Sequence, residues 1–506
     1  MAKRIRILAT SDTHGYIHPY HYTDGTPADW GMARIYTLIQ ALRDDNTIVV
    51  DNGDVLVGSP LDFYHFHCRR DELSPATKVM NAMDYDFINI GNHDFNYGKE
   101  ILYRHINSLN APCITSNVTD EGVPLGPTYV IKELAGKKVA LFGICTPYIP
   151  HWEPKEHIKG MKFRSALETA QKTVDLLKHL EKPDYIVCVY HGGFERDPLT
   201  GNPVEEQTGE NEGYAILNQV RGIDVLIAGH QHTAYIGSMH GTVYTQTRSR
   251  ALQLACIDIY TDTGVIEPRL LNTDTDADER IMALVQEEED ACQAWLDQPL
   301  GTAKTPLRVL DEDDARMHKH QIITFINKVS MEITGADLAS SALFAEAKGF
   351  PPEITMRDIV STYVYTNNPV VKKINGRQLK DYLEKNAEFW TIHNDAVTVA
   401  KQYLEPKPKY FDYDMVDGID YTIKVSNAPG SRIMDLTYKG QPVNDDDTFT
   451  ICVTNYRATG GGDFPSIRKA PTVKEYPQSY VELLAEWILE HKVIDFEPVH
   501  NIHVIK

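Results

Sequence analysis

The chain has no run of about 18 apolar residues, the length that a membrane-crossing helix needs. No membrane partner is therefore expected. Its seven cysteines are an odd number without paired spacing, so no disulfide framework is read from them. Cys145, Cys188, Cys256 and Cys452 lie in apolar strand-like runs, where cysteine serves as a small core residue. Positive charge is scarce. Fifty Lys and Arg stand against 71 Asp and Glu, a formal net charge of −21. Such a chain repels a nucleic-acid polymer or an anionic surface. It does not repel a small phosphate ester, because bound cations would invert the local field. Internal repeats and low-complexity tracts are missing as well. The first strand starts within MAKRIRILATSDTHG, with no secretory signal ahead of it, so a cytoplasmic location is expected.

What is present is a repeated pattern in the first half. Asp12-Thr13-His14 follows IRILATS, and Gly53-Asp54 follows TIVVDN. Gly91-Asn92-His93-Asp94 follows YDFINI, His191-Gly192-Gly193 follows YIVCVY, and Gly229-His230-Gln231-His232 follows DVLIA. Each polar cluster comes after an apolar run that reads as a buried strand. In α/β sheets functional groups gather outside the carboxyl ends of strands, so all five clusters are expected on one rim. Carboxylate, amide and imidazole together are the ligand set for two divalent cations about 3.5–4 Å apart that share a bridging anion. With no cysteine in the clusters, Zn, Mn or Fe is expected rather than a thiolate site. A lone Asp-x-His is usually a turn or a helix cap. Five such clusters, each at a strand's end, are not explained that way.

The order D-x-H, G-D, G-N-H-[D/E], H-G-G, G-H-x-H resembles the calcineurin-like metallophosphoesterases. Farther along, YDMVDGIDYTIKV, RIMDLTYKGQPV and TNYRATGGGDFP resemble the C-terminal domain of the bacterial 5′-nucleotidase family. Gly91 to Gly98, GNHDFNYG, is most similar to the 2′,3′-cyclic-nucleotide 2′-phosphodiesterase/3′-nucleotidase branch of that family. The resemblance implies an α/β plus α+β protein with two domains. Residues 1–298 would form a four-layer αββα metallophosphoesterase domain. Residues 299–506 would form the substrate-binding domain, entered through a helical connector at about 315–334. Alternating apolar and helical stretches at 30–43, 74–83, 98–109 and 165–180 agree with an α/β first domain. The C-terminal part reads as mixed, with helices at 376–388 and 478–491 and a β-rich stretch at 422–453. The acidic segment 273–297 reads as a solvated surface helix.

The resemblance also implies roles. One metal would take Asp12, His14, Asp54 and His232, and the other Asp54, Asn92, His191 and His230, with Asp54 as the bridge. Asn92 would also meet the substrate. His93 would contact the phosphate. Where 5′-nucleotidases carry an Asp paired with this histidine, the chain has Asn96, so the carboxylate could come from Asp94 or Asp51, or be lost. Base recognition would fall to Tyr413 and Tyr456, with Gly461 between Gly460 and Gly462 giving close backbone approach, and Asp463 accepting from sugar or base. Where 5′-nucleotidases carry substrate-pocket arginines the chain has Ser340-Ser341-Ala342-Leu343-Phe344, and Arg357, Arg377 and Arg457 could be substitutes for them. The expected activity is hydrolysis of a nucleotide phosphoester by metal-activated water attack on phosphorus, on 2′,3′-cyclic or 3′-nucleotides. The alternatives are a 5′-nucleotidase or nucleotide-sugar hydrolase, or a non-catalytic nucleotide-binding protein. A monomer is expected.

Overall fold

The structure is a computed structural model that describes residues 4–204, 207–365, 367–405, 408–476 and 478–506. The chain divides into two compact units, Met1–Gln293 and Ala294–Lys506.

Two large sheets form the core of the first unit. Its principal strands are β1 (Arg4–Thr10), β2 (Thr47–Asp51), β3 (Phe87–Ile88), β4 (Val130–Leu134), β5 (Lys137–Cys145), β6 (Tyr185–His191), β7 (Val225–Ala228), β8 (Tyr235–Met239), β9 (Thr242–Gln246), β10 (Gln253–Tyr260) and β11 (Val265–Asn272). One sheet has the order β11-β10-β1-β2-β3 and the other β8-β9-β7-β6-β5-β4. Side chains alternate faces along a strand. Ile5, Ile7, Ala9, Ile48 and Val50 thus face Val139, Leu141, Val187, Val189 and Ile227 across the gap between the sheets, and this is the main core. The opposite residues of the second sheet, Phe142, Cys188 and Leu226, pack on Ala170, Val174 and Leu177 of the helix Ala166–Leu180. The helix Met32–Leu42 packs on β10 of the first sheet. The outcome is helix, sheet, sheet, helix, as the family resemblance implied. Ser74 and Ser165 cap the helices they precede by accepting from Thr77 N and Glu168 N.

Two expectations need correction. The acidic segment at 273–297 is not merely solvated. Glu288 and Glu289 are buried; Glu288 pairs with Lys78, and Glu289 accepts from the hydroxyls of Tyr20 and Tyr22. Buried carboxylates persist only with such partners. The stretch expected as a connector, about 315–334, holds the helix Gln321–Thr334. Ile322, Ile323, Phe325, Ile326 and Val329 of that helix are buried, and it packs on the strand Leu338–Ala342 inside the second unit. It is a core helix.

The second unit centres on a five-stranded sheet in which Leu338–Ala342 and Pro369–Asn375 flank the strand Thr448–Thr454. The helix Gly376–Ala387 starts with a capping box between Asn375 and Gln378, and the final helix Tyr480–His491 with one between Ser479 and Glu482. Among the described residues all seven cysteines are free, and six of them are buried, including the four read as core.

Candidate metal centre

The five clusters leave the C-terminal ends of β1, β2, β3, β6 and β7. Within each sheet these strands run parallel to their neighbours in the set, so their ends share a rim. There the ligand atoms of Asp12, His14 and His232 lie within 4.8 Å of one another, as do those of Asp54, His191 and His230. Asn92 joins the second group, its Oδ1 being 2.7 Å from His230 Nδ1 and 3.2 Å from His191 Nε2. All seven residues assigned to metal by resemblance are thus brought together.

The backbone is bent to achieve this. Asp12, His14, Asp54, His230 and His232 all have φ between 50° and 70°. Non-glycine residues rarely adopt that left-handed region, and such strain collects at functional sites. Gly91 shows how tight the packing is. A Cβ there would come within 2.2 Å of Asp54 Oδ1 and 2.6 Å of His191 Cε1, so the glycine of the G-N-H-D motif leaves room for the neighbouring ligands.

The donor atoms fit cations. His14 Nδ1 donates to Val57 O at 2.6 Å, and its Nε2 faces His232 Nε2 at 2.9 Å. His191 Nδ1 donates to Asn52 O at 2.6 Å, and its Nε2 faces Asp54 Oδ2 at 3.2 Å and Asn92 Oδ1. Binding one ring nitrogen to a backbone carbonyl is how a protein aims the other at a metal. Nitrogen and oxygen lone pairs can converge like this only around positive charge, either a proton or a metal ion. The set is all nitrogen and oxygen, which suits Zn, Mn or Fe.

The electrostatics point the same way. Burial, with the neighbouring His232 next, drives the His14 imidazole down to about 3, so it is neutral and free to ligate. Burial alone would make Asp12 and Asp54 hold their protons more tightly. Nearby imidazoles outweigh it, chiefly His232 for Asp12 and His191 for Asp54, and hold both carboxyls well below their usual range. Burial opposes charge on His191 too, but Asp54 overrides it and raises the imidazole to about 10. A divalent ion at this position would have to displace that proton.

His93 lies beside the centre, its ring centroid 5.5 Å from that of His14 and its backbone N–H donating to Asp54 Oδ1 at 2.7 Å. The structure does not give it Asp94 or Asp51 as a partner. Asp94 is buried and takes the backbone N–H groups of Asp54, Val55, Leu56 and Gly91. It clamps the loop that carries Asp54 and does not contact His93 through its carboxylate hydrogen bonds. Asp51 accepts from Thr10 Oγ1 and Gly53 N, and burial raises it to about 7. Instead His93 Nδ1 stands 2.7 Å from Asn96 Oδ1, and Asn96 Nδ2 donates to Glu153. Glu153 and its neighbour Trp152, whose ring stacks on His230 with centroids 5.5 Å apart, follow β5. They come from a sixth strand end that the motif pattern did not mark.

In the second unit Tyr413 is fully buried, stacked on Phe389 at 4.7 Å and edge-on to Trp390. It is a core residue and cannot be a stacking platform. Tyr456 is half-buried, and the aromatic that meets it is Phe411, also half-buried, with centroids 6.1 Å apart and planes at 82°. Gly461 lies under the Tyr456 ring, where a Cβ would approach within 2.5 Å. Arg457 ties this corner together. It donates to Asp414 Oδ2 at 2.6 Å, Phe411 O at 2.8 Å and Gly461 O. Asp463 is half-exposed, 3.6 Å from Lys385 Nζ. Arg357 pairs with Asp297 and Arg377 with Asp381. The two residues that sequence reasoning missed, Phe411 and Glu153, carry no motif of their own.

Comparison with known proteins bears on the family of the chain. Positions 5–234 match the calcineurin-like phosphoesterase family model, and 299–469 match the 5′-nucleotidase C-terminal domain. The crystal structure of a Staphylococcus aureus protein in complex with alpha-ketoglutarate, named as a 5′-nucleotidase candidate, is 33% identical. It superposes with a TM-score of 0.93 over 99% of this chain and 100% of its own. The 2′,3′-cyclic-nucleotide 2′-phosphodiesterase/3′-nucleotidase of Salmonella typhimurium is 26% identical over 96% of this chain and 85% of its own length. The trifunctional nucleotide phosphoesterase protein YfkN of Bacillus subtilis is also 26% identical, over 98% of this chain, which spans only 38% of that longer protein. The chain therefore belongs to the 5′-nucleotidase family of calcineurin-like phosphoesterases and is a metal-dependent phosphoester hydrolase.

Proposed function

We propose that the protein hydrolyses nucleotide phosphoesters, and that 2′,3′-cyclic nucleotides and 3′-nucleotides are its substrates. The observation that carries the chemistry is the pair of converging ligand groups, Asp12–His14–His232 and Asp54–His191–His230 with Asn92. When bound, two divalent ions would supply Lewis acidity toward the phosphate and an activated water for attack on phosphorus. Asp54 would serve both ions, and the remaining six residues would divide between them. His93 would act on the phosphate itself. Its Nδ1 is engaged by Asn96, which leaves Nε2 as the nitrogen to meet charge developing on the phosphoryl oxygens. In the second unit, Phe411 and Tyr456 are read as the pair that stacks a base. Stacking accepts any base, so little base preference is expected.

The substrate branch is supported by Asn96, which stands where the 5′-nucleotidase branch carries an Asp, and by the full-length likeness to relatives named 2′,3′-cyclic-nucleotide 2′-phosphodiesterase/3′-nucleotidase. The test is a panel of 2′,3′-cyclic AMP, 3′-AMP and 5′-AMP with the metal-loaded protein. The first two should exceed 5′-AMP in kcat/KM by about tenfold or more. The reverse order would move the protein to the 5′-nucleotidase reading. No turnover of any of them with both ions bound would leave only a nucleotide-binding role.

A further inference from the structure

Glu153 is a carboxylate that no motif announces, linked to His93 through Asn96. It lies just beyond the short turn Ile149–His151, buried, in the loop that follows β5. One of its oxygens accepts from Asn96 Nδ2, and the other is 3.1 Å from His157 Nδ1. Asn96 in turn presents Oδ1 to His93 Nδ1 at 2.7 Å.

The direction of this chain follows from what each group can give. The two ends of a carboxamide have nearly the same shape, and its neighbours decide which way it turns. A carboxylate can only accept, so Asn96 must turn its NH₂ to Glu153. Its carbonyl oxygen is then the end that faces His93 and can likewise only accept. Nδ1 of His93 must therefore carry hydrogen, and Nε2 is the nitrogen set toward the chemistry. Without Glu153 nothing in this chain of contacts would choose between the two amide orientations, and the wrong one would place an NH₂ against Nδ1.

We propose that Glu153 is a positioning residue for His93. Through Asn96 it sets the tautomer and ring orientation that a carboxylate placed directly on the imidazole would otherwise set. This rests on the reading of His93 as the group that acts on the phosphate. The pairing of residue types supports it. An Asp at position 96 would press a second carboxylate against Glu153, which two like charges at contact resist. Asn96 and Glu153 are thus complementary, and each makes sense of the other. The same loop stacks Trp152 on the metal-site His230, so one segment holds both a ligand and the catalytic histidine in place.

The test uses the full-length, metal-loaded protein and measures kcat, KM and bound metal for four variants. Glu153→Gln can turn either end of its amide to Asn96. It should lower kcat about tenfold, the scale at which supporting shells around metal sites act, with KM and metal content held. Asn96→Asp alone should also lower kcat, because it faces Glu153 with a second carboxylate. Combining Asn96→Asp with Glu153→Gln rebuilds a direct histidine–carboxylate contact and should return kcat to within about threefold of wild type, a non-additivity expected of touching residues. A purely structural Glu153 would not be rescued this way. Wild-type kcat in Glu153→Gln, or a double variant slower than either single one, overturns the proposal. If Glu153→Gln does not fold, wild-type kcat in Asn96→Asp overturns it just as well. His93→Asn separates the two layers. If it keeps full activity, the reading of His93 fails and the proposal with it. If it abolishes turnover while Glu153→Gln does not change it, only the link to Glu153 fails.

Discussion

The metal centre and the aromatic corner of the second unit are built on opposite plans. At the metal centre, buried carboxylates and imidazoles sit on left-handed loops at strand ends. Asp94 holds the loop that carries Asp54 through several backbone amides, and carbonyls of Val57 and Asn52 orient His14 and His191. At the corner of the second unit a buried cation, Arg457, gathers two loops, and the surface proposed to stack a base is the half-buried edge-to-face pair Phe411 and Tyr456. The first plan fixes charge with many directional bonds, as coordination demands. The second presents flat apolar area, where shape matters more than any one bond. The two should therefore fail differently. Damage to the first should appear in kcat or metal content, and damage to the second in KM.

The largest effect that probes this contrast is His93→Asn. It removes the group assigned to the phosphate but no ligand, so kcat should fall by roughly 10²–10³-fold while both ions stay bound. Parallel loss of metal would show that His93 belongs to the coordination scaffold. Next comes Tyr456→Ala. It should raise KM for nucleotides about tenfold to a hundredfold, the value of one lost stacking face, and leave kcat for bis-p-nitrophenyl phosphate nearly unchanged. Equal losses on both substrates would make Tyr456 a structural residue and remove the contrast between the two regions.

The smallest effect concerns stability. Asp62, fully buried in the helix Pro60–Cys68, is raised to about 8 by burial. Its folded-state value therefore lies above the unfolded one. Its contribution to stability is fully present below about pH 4 and is lost as pH rises toward 8, because only the unfolded chain releases the proton easily in that window. Asp62→Asn abolishes this titration. In the metal-free protein its Tm should match wild type near pH 4 and exceed it by about 3–6 °C at pH 8. A constant difference across that range would mean that Asp62 ionises normally.

The metal centre was legible because coordination restricts residue type and strand ends restrict position, so Asp12, His14, Asp54, Asn92, His191, His230 and His232 all carry their signal locally. Glu153 was not legible. It is 57 residues from Asn96, and nothing but the packing of the loop after β5 brings the two together. Asp94 stood in the right motif, but the sequence could not show that its oxygens are taken up by backbone amides. In the segment YFDYD, Phe411 and Tyr413 are equally good aromatics. Only the neighbours Phe389 and Trp390 decide that Tyr413 turns inward and Phe411 remains half-exposed. The strands and the helices near 74–83 and 165–180 were readable from the alternation of apolar and helical stretches. The buried Glu288 and Glu289 were not, since their partners Lys78, Tyr20 and Tyr22 lie in distant segments.

The most direct measurement counts metal. Wild-type protein loaded with a divalent ion and freed of excess should hold two ions per chain by mass spectrometry of its metal content. Asp54→Ala should hold none at the same free metal concentration, because both ligand groups depend on that carboxylate. Full occupancy by two ions in Asp54→Ala, or a single ion in the wild-type protein, would contradict a two-cation centre bridged by Asp54.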